Sequence, residues 1–273
     1  MTLHIIGIGL NDEKDITLKG LEIVKRSSKV YLENYTATLR CTKDALEKTY
    51  GKNIILADRE LVEKDSDSIL DNAKKEDVSL LVVGDPMSAT THIDFVIRAR
   101  EKGVHIDIVH NASIMTAVGT VGLEMYKYGK TTSIVFPDEK WTVESHYDAI
   151  KENKERGLHT LCLLDIKVNE PSKENIKKGS DMFEKPRFMT VNQAIENLLD
   201  IESRRKEKIF TEDTICIGCA RLGSNDSTII AGKAKELLEA DFGEPMHCLI
   251  VPGKLHFMEE EALKIWQVAR KSI

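Results

Sequence analysis

Val82-Val83-Gly84-Asp85-Pro86-Met87-Ser88-Ala89-Thr90-Thr91-His92 is the stretch whose reading decides the fold. Val78 with Leu80 to Val83 reads as a buried strand. Gly-Asp-Pro ends it abruptly, because glycine tolerates dihedrals that other residues avoid and proline has no N–H to give a ladder. Thr90 or Thr91 is placed to cap a helix running through Ile93, Val96 and Ile97. Asp85 and Ser88 then stand at the carboxyl end of a strand, facing a helix start, and that edge is where open α/β sheets bind ligands. Taken alone, such a turn is more often a plain connection, so the neighbouring sequence has to decide.

Toward the N-terminus, Leu3-His4-Ile5-Ile6-Gly7-Ile8-Gly9 is a short strand turning at glycines, and Asp15 or Thr17 starts a helix carrying Leu18, Leu21 and Val24. A dinucleotide fingerprint needs a third glycine three residues after Gly9; Asp12 stands there, and the fingerprint fails. The glycine loop, with Leu10 at its tip, serves equally as a tight turn or as main chain that approaches a ligand closely. Between this strand and the central one, Lys29–Glu33 and Ile54–Leu56 read as strands, and Thr42–Tyr50 and Leu61–Ala73 as helices. Strands regularly separated by helices call for a mainly parallel sheet.

Toward the C-terminus, Val104–Val109 is a further strand. Asn111 or Ser113 caps a small-residue, apolar helix over Ile114–Val121, of the kind that packs tightly at a domain junction. From about residue 111 the alternation restarts: strand Ser133–Phe136, helix Val143–Arg156, strand Thr160–Val168. Asn169 to Lys185 has little periodicity and reads as an exposed loop or short helix. Thr190 followed by Gln193 is a capping box opening a long helix with Ala194, Ile195, Leu198, Leu199 and Ile201 on its apolar stripe. Strand Thr214–Ala220, a hairpin-like turn at Gly223-Ser224-Asn225-Asp226, strands Ser227–Ala231 and Met246–Val251 and a helix Met258–Val268 follow, so the second half should hold a mixed sheet.

With 273 residues, 41% of them hydrophobic, the chain has enough apolar material for one large or two modest cores. A net charge of −6 offers no basic field for a nucleic-acid backbone, and no apolar run is long enough to span a membrane, which sets the expectation of a soluble, cytoplasmic protein without a secretory leader. Five scattered cysteines form no disulfide framework. Cys216 and Cys219 have metal-pair spacing, but three residues apart on a strand they face opposite ways, and no second pair completes a site.

Six ordered motifs now stand together: Gly7-Ile8-Gly9-Leu10 with Asp15-Ile16-Thr17; Gly84-Asp85-Pro86 with Ala89-Thr90-Thr91-His92; His110-Asn111-Ala112-Ser113-Ile114-Met115; His159 to Lys167; Pro186 to Ala194; and Gly243-Glu244-Pro245-Met246-His247. Along nearly the whole chain they resemble the diphthine synthase family of the tetrapyrrole-methylase superfamily. The resemblance implies two α/β domains, 1–110 with the mainly parallel sheet and 111–273 with the mixed one, with an active-site cleft between them, in a homodimer. It implies S-adenosylmethionine as cofactor and S-adenosylhomocysteine as product. Leu10, Asp85, Ser88, Ser113, Ile114, Leu164, Leu222 and His247 fall where the family touches the cofactor. Relatives often carry Phe-Gly where this chain has Met87-Ser88, which alters the packing at that turn.

The substrate implied is the modified histidine of translation elongation factor 2, bearing a 3-amino-3-carboxypropyl group. The resemblance is closer to members that go on to the methyl ester than to those stopping at three methyl groups. The residues point to no metal and to no membrane or nucleic-acid partner, and methyl transfer from a sulfonium makes no dedicated base compulsory, a base role for Asp85 being the weaker reading. Asp85 is expected to serve the cofactor's ammonium or ribose, so that Asp85→Ala should weaken cofactor binding and leave the apo melting temperature nearly unchanged. Arg187 reads either as a partner for the substrate carboxylate or as a surface charge. A methylase of a small tetrapyrrole and a non-catalytic translation-associated binding protein are the rival readings.

Overall fold

The structure is a computed structural model that describes all residues except 36, 38, 60, 63–65, 138–142, 169–183 and 268–273. It divides into two units, Met1–Ala117 and Val118–Ile273. The first holds strands β1 (Thr2–Gly7), β2 (Lys29–Glu33), β3 (Ile54–Ala57), β4 (Val78–Val82) and β5 (His105–Val109) in the order β3-β2-β4-β1-β5. Every neighbouring pair is parallel. Between the strands run α1 (Leu18–Arg26), α2 (Lys43–Tyr50), α3 (Ser66–Ala73) and α4 (Ile93–Glu101). Successive side chains of a strand point to opposite faces. Leu3 and Ile5 accordingly pack with Leu80, Ile69 and Phe95, while Ile6 packs with Leu81, Ile23 and Tyr50, so the sheet is covered on both sides.

Local signals set most helix starts. Thr17 caps α1 by accepting from Gly20 N–H at 3.0 Å, and Thr42 caps α2. At α4 the expectation fails. The N-cap is His92, with Thr90 Oγ1 accepting from the His92 N–H at 3.3 Å, and Ile93 and Ile97 are exposed while Phe95 and Ala99 are buried. Ile93 and Ile97 are four apart, one face of a helix, but here the opposite face meets the sheet. The predicted helix 114–121 is a single α turn, α5 (Ile114–Ala117), that tightens into a 3₁₀ turn at Val118–Val121. Asn111 does not cap it, because its side-chain amide donates to the Gly7 and Asp15 carbonyls.

The second unit carries β6 (Thr132–Ile134), α6 (Ser145–Glu155), β7 (Thr160–Leu164), β8 (Ile166–Lys167), β9 (Arg187–Phe188), α7 (Val191–Arg205), β10 (Ile215–Ala220), β11 (Thr228–Lys233), α8 (Ala234–Leu237), β12 (His247–Val251) and α9 (Phe257–Lys264). Its five-stranded sheet runs β11-β10-β12-β7-β6. The β6–β7 pair is parallel and the others antiparallel, a mixed sheet. The capping box at Thr190 and Gln193 is present, and Ala194, Ile195, Leu198 and Ile201 are buried along α7. Glu202 closes that helix by accepting from the N–H groups of Lys208, Ile209 and Phe210 and from the Tyr147 hydroxyl.

The expected strand 160–168 is broken at Asp165. Its N–H donates to the Ile134 carbonyl at 3.0 Å, its Oδ2 accepts from Phe136 N–H at 2.9 Å, and its carbonyl accepts from Met189 N–H. A side chain that takes over backbone partners in this way turns the chain out of the ladder. Residues 166–167 then pair with Arg187–Phe188 in a separate two-stranded ribbon. The loop expected over 169–185 lies almost entirely outside the described residues. Cys216 packs in the core beside Leu198, its thiol pushed up to about 12 by burial, and Cys219 stands opposite Cys248 across the ladder. Among the described residues no helix is long and apolar enough to cross a membrane.

Candidate functional site

In the first unit the loops after β1, β4 and β5 are joined at the carboxyl edge of the sheet. Gly9 and Gly84, at φ +80° and +78°, form an antiparallel bridge, with Gly84 N–H donating to the Gly9 carbonyl at 2.7 Å. A Cβ on Gly9 would sit 2.3 Å from the Asp15 Cβ, so this loop has no room for a side chain. Asp15 Oδ2 accepts from the N–H groups of Leu10 and Asn11 at 3.1 and 2.8 Å and fixes the loop tip. The Asn111 amide ties the third loop to the first through Gly7 and Asp15.

Asp85 joins the second loop to the third. Its Oδ1 accepts from Met87 N–H at 2.9 Å and the Ser88 hydroxyl at 3.2 Å; its Oδ2 accepts from Asn111 N–H at 3.1 Å and pairs with His110 Nδ1 at 2.8 Å. Burial opposes its ionisation, but the donors from Met87, His110 and Asn111 outweigh it and hold the carboxyl below its usual value. A carboxylate offers about four acceptor positions, and here all four serve the protein's own loops. Ser88 Oγ donates to the same carboxylate, Ser113 is buried at the start of α5, and Leu10 and Ile114 are partly exposed on the loops it joins.

In the second unit Leu164, Leu222 and His247 share one edge of the mixed sheet. Cys248 lies opposite Leu163 and His247 opposite Ala220, so the end of β7, the start of β12 and the residues just beyond β10 are neighbours by register. Leu164 and Leu222 are buried apolar residues. His247 Nδ1 accepts from Val191 N–H at 3.3 Å, which puts the ring proton on Nε2, 3.1 and 3.0 Å from the Gly243 and Glu244 carbonyls. Burial lowers its pKa, so the ring is neutral at physiological pH.

The model of the tetrapyrrole (corrin/porphyrin) methylases matches residues 2–238. The chain belongs to this family. It is 53% identical over 272 residues to a diphthine methyl ester synthase of Dictyostelium discoideum, covering 99% of this chain and all of that protein. It is 50% identical over 275 residues to a diphthine methyl ester synthase of Homo sapiens, covering 99% and 96%. A crystal structure of diphthine synthase superposes with a TM-score of 0.84 at 34% identity, covering 98% and 96% of the two chains.

In this methylase the residue that sequence reasoning missed is Arg221. It has φ +52°, its guanidinium is almost entirely buried, and it donates to the carbonyls of Asp226, Phe242 and Glu244, the Asp226 carboxylate and the Thr228 hydroxyl. That fork fixes the loops on either side of Leu222 and His247. Its position after a strand and before Gly223 was the available signal, because a long cation at a tight turn is able to satisfy several carbonyls at once. Among the described residues no group of three or more His, Cys, Asp or Glu is placed to hold a metal ion.

Proposed function

We infer that this chain is the S-adenosylmethionine-dependent methyltransferase of diphthamide biosynthesis that forms diphthine methyl ester on translation elongation factor 2. The observation that carries the reading is identity of about half the residues, end to end, with proteins bearing the name diphthine methyl ester synthase. That identity disfavours both a small tetrapyrrole substrate and a non-catalytic role.

Each sheet edge, taken by itself, carries groups suited to the cofactor. A sulfonium is a cation; the first edge has the ionised Asp85, and at the second the His247 ring is neutral while the Arg221 guanidinium is engaged by carbonyls and the Asp226 carboxylate. Leu164 and Leu222 offer apolar wall for an adenine, while the main chain around Leu10, Ser88, Ser113 and Ile114 offers backbone donors and acceptors. Asp85 and His247 then act as fasteners that fix the loop backbone, and their side chains make no direct contact with the cofactor. When bound, S-adenosylmethionine supplies an electrophilic methyl group for in-line displacement.

What the protein has to add is alignment of the nucleophile within about 3–3.5 Å of that methyl, with water kept out. The substrate amine, with a free carboxylate on the same carbon, is mostly protonated at neutral pH; the neutral minority is the nucleophile, and burial enlarges that fraction without a protein base. A carboxylate needs no deprotonation at all. Three transfers exhaust the nitrogen lone pair, and a fourth goes to the carboxylate, which is the ester.

The test is mass spectrometry of elongation factor 2 carrying the unmethylated 3-amino-3-carboxypropyl histidine, after incubation with this protein and S-adenosylmethionine. Sequential gain of four methyl groups, the last released by mild base, is the expected result. No methyl gain by a protein that binds the cofactor overturns the assigned substrate.

A further inference from the structure

The ribbon β8–β9 leaves the main sheet one residue beyond Leu164, and its register sets Lys167 directly opposite Arg187. Like charges facing each other across a strand pair are destabilising, so folding alone gives no reason for the arrangement. Arg187 is nonetheless held in place. Arg187 lies with its Cζ 5.4 Å from the centroid of the Phe136 ring. Phe136 N–H donates to Asp165 Oδ2, and the Asp165 carbonyl accepts from Met189 N–H, just beyond the ribbon. One acid thus locks the end of β7, the aromatic platform and the strand that bears Arg187. A guanidinium seated on a ring face keeps its N–H edge free for a planar carboxylate.

Neither cation is bare. Arg187 pairs with Glu184 at 3.4 Å, where both side chains are about half exposed, and Lys167 has an interaction of its own. An exposed ion pair of this kind contributes little, so it is readily exchanged for a ligand. Glu184 also demonstrates the chemistry, since the group Arg187 takes is a carboxylate.

We propose that Lys167 and Arg187 form a dicationic clamp for the carboxylate of the protein substrate, a specificity-determining pair one step beyond the apolar wall at Leu164. The inference rests on the methyltransferase reading, because an enzyme that ends at a methyl ester starts from a free carboxylate. The clamp holds that carboxylate while the neighbouring amine is methylated. It also separates the true substrate from an analogue whose carboxyl is neutral.

The test uses the full chain and its Lys167→Gln, Arg187→Gln, Arg187→Lys and double Lys167→Gln/Arg187→Gln variants. Two forms of elongation factor 2 are compared, one bearing the free carboxylate and one with that group converted to an amide, with amine methylation as the readout. Each neutral variant is expected to raise KM for the carboxylate form about 10-fold or more, with affinity for S-adenosylhomocysteine by calorimetry and the melting temperature unchanged. Arg187→Lys restores part of the loss. Wild type should prefer carboxylate over amide, and the double variant should not discriminate.

Retention of the full preference by the double variant overturns the clamp, as does an equal loss on both substrate forms, which marks a structural role. A wild-type chain that binds cofactor but methylates neither form overturns the functional reading instead, and the clamp with it.

Discussion

Replacing Asp85 by alanine tests whether the carboxyl edge of the first sheet is built by its own side chains. The substitution removes the acceptor for two backbone N–H groups, Met87 at 2.9 Å and Asn111 at 3.1 Å, and the partner of the Ser88 hydroxyl and the His110 ring. A buried donor stranded in this way costs about 1–3 kcal/mol. With water entering the vacated space to satisfy one of the two, the net loss is about 1–3 kcal/mol. For a chain of this size that lowers the melting temperature by about 2–10 °C. Asparagine retains one acceptor but turns an NH₂ toward donors, so Asp85→Asn should recover only part. The assay is thermal unfolding of the apo protein, with calorimetric titration of S-adenosylhomocysteine alongside. We expect stability and affinity to fall together. An Asp85→Ala variant that melts within a degree of wild type while losing cofactor affinity refutes the reasoning and returns the acid to direct cofactor contact.

Glu259, 1% exposed, accepts from Glu124 N–H, His256 N–H and His159 Nε2 and pairs with Lys127; burial opposes its charge, but these donors hold its pKa at about 2. The distance from its ordinary value corresponds to at most about 3 kcal/mol, present above pH 4.5 and lost as pH falls toward 2. Urea midpoints should therefore separate wild type from Glu259→Gln at pH 7, draw together below pH 4.5 and converge only near pH 2, whereas a constant gap counts against the depressed carboxyl. Burial lowers the pKa of His146, His159 and His247, so the unfolded chain binds more protons near pH 6. Stability should rise from pH 5 to pH 7, a trend followed by the same titrations, and a fall over that range contradicts neutral buried rings. Arg221→Lys loses the planar fork and should weaken cofactor binding by about 10-fold or more, nearly as much as Arg221→Ala; full rescue by lysine shows that charge alone is needed. Gly9→Ala places a Cβ 2.3 Å from the Asp15 Cβ at φ +80° and should lower both the melting temperature and cofactor affinity; an unaffected variant shows that the loop yields without cost.

Much of the architecture was legible because it is written locally. The apolar runs at Leu3–Ile6 and Val78–Val82, the Thr17 cap and the Thr190–Gln193 box each need only a few neighbouring residues to be read, and each is where the sequence puts it. The turns after β1 and β4 were legible from their glycines for the same reason. What escaped depends on partners distant in sequence. Asp165 looked like one more residue of a strand until Phe136, 29 residues away, claimed its carboxylate. The bonds that tie Asp85 to His110 and Asn111 were not legible, because those partners lie 25 and 26 residues on. The buried face of α4 was not legible because Ile93 and Ile97 offered one stripe and Phe95 with Ala99 another, and only packing against the sheet chooses between them.

The glycine bridge between residues 9 and 84, with its stitches to Asp15 and Asn111, has a consequence for how tightly small molecules are retained. Segments that must be ordered by their ligand subtract that entropy from the affinity, whereas these three turns reach their working shape as the sheet forms. Recognition at this rim should thus resemble a rigid mould more than a closing hand. On the proposed reading the spent cofactor would meet the same ready surface as the fresh one, and inhibition by the demethylated product is the expected outcome.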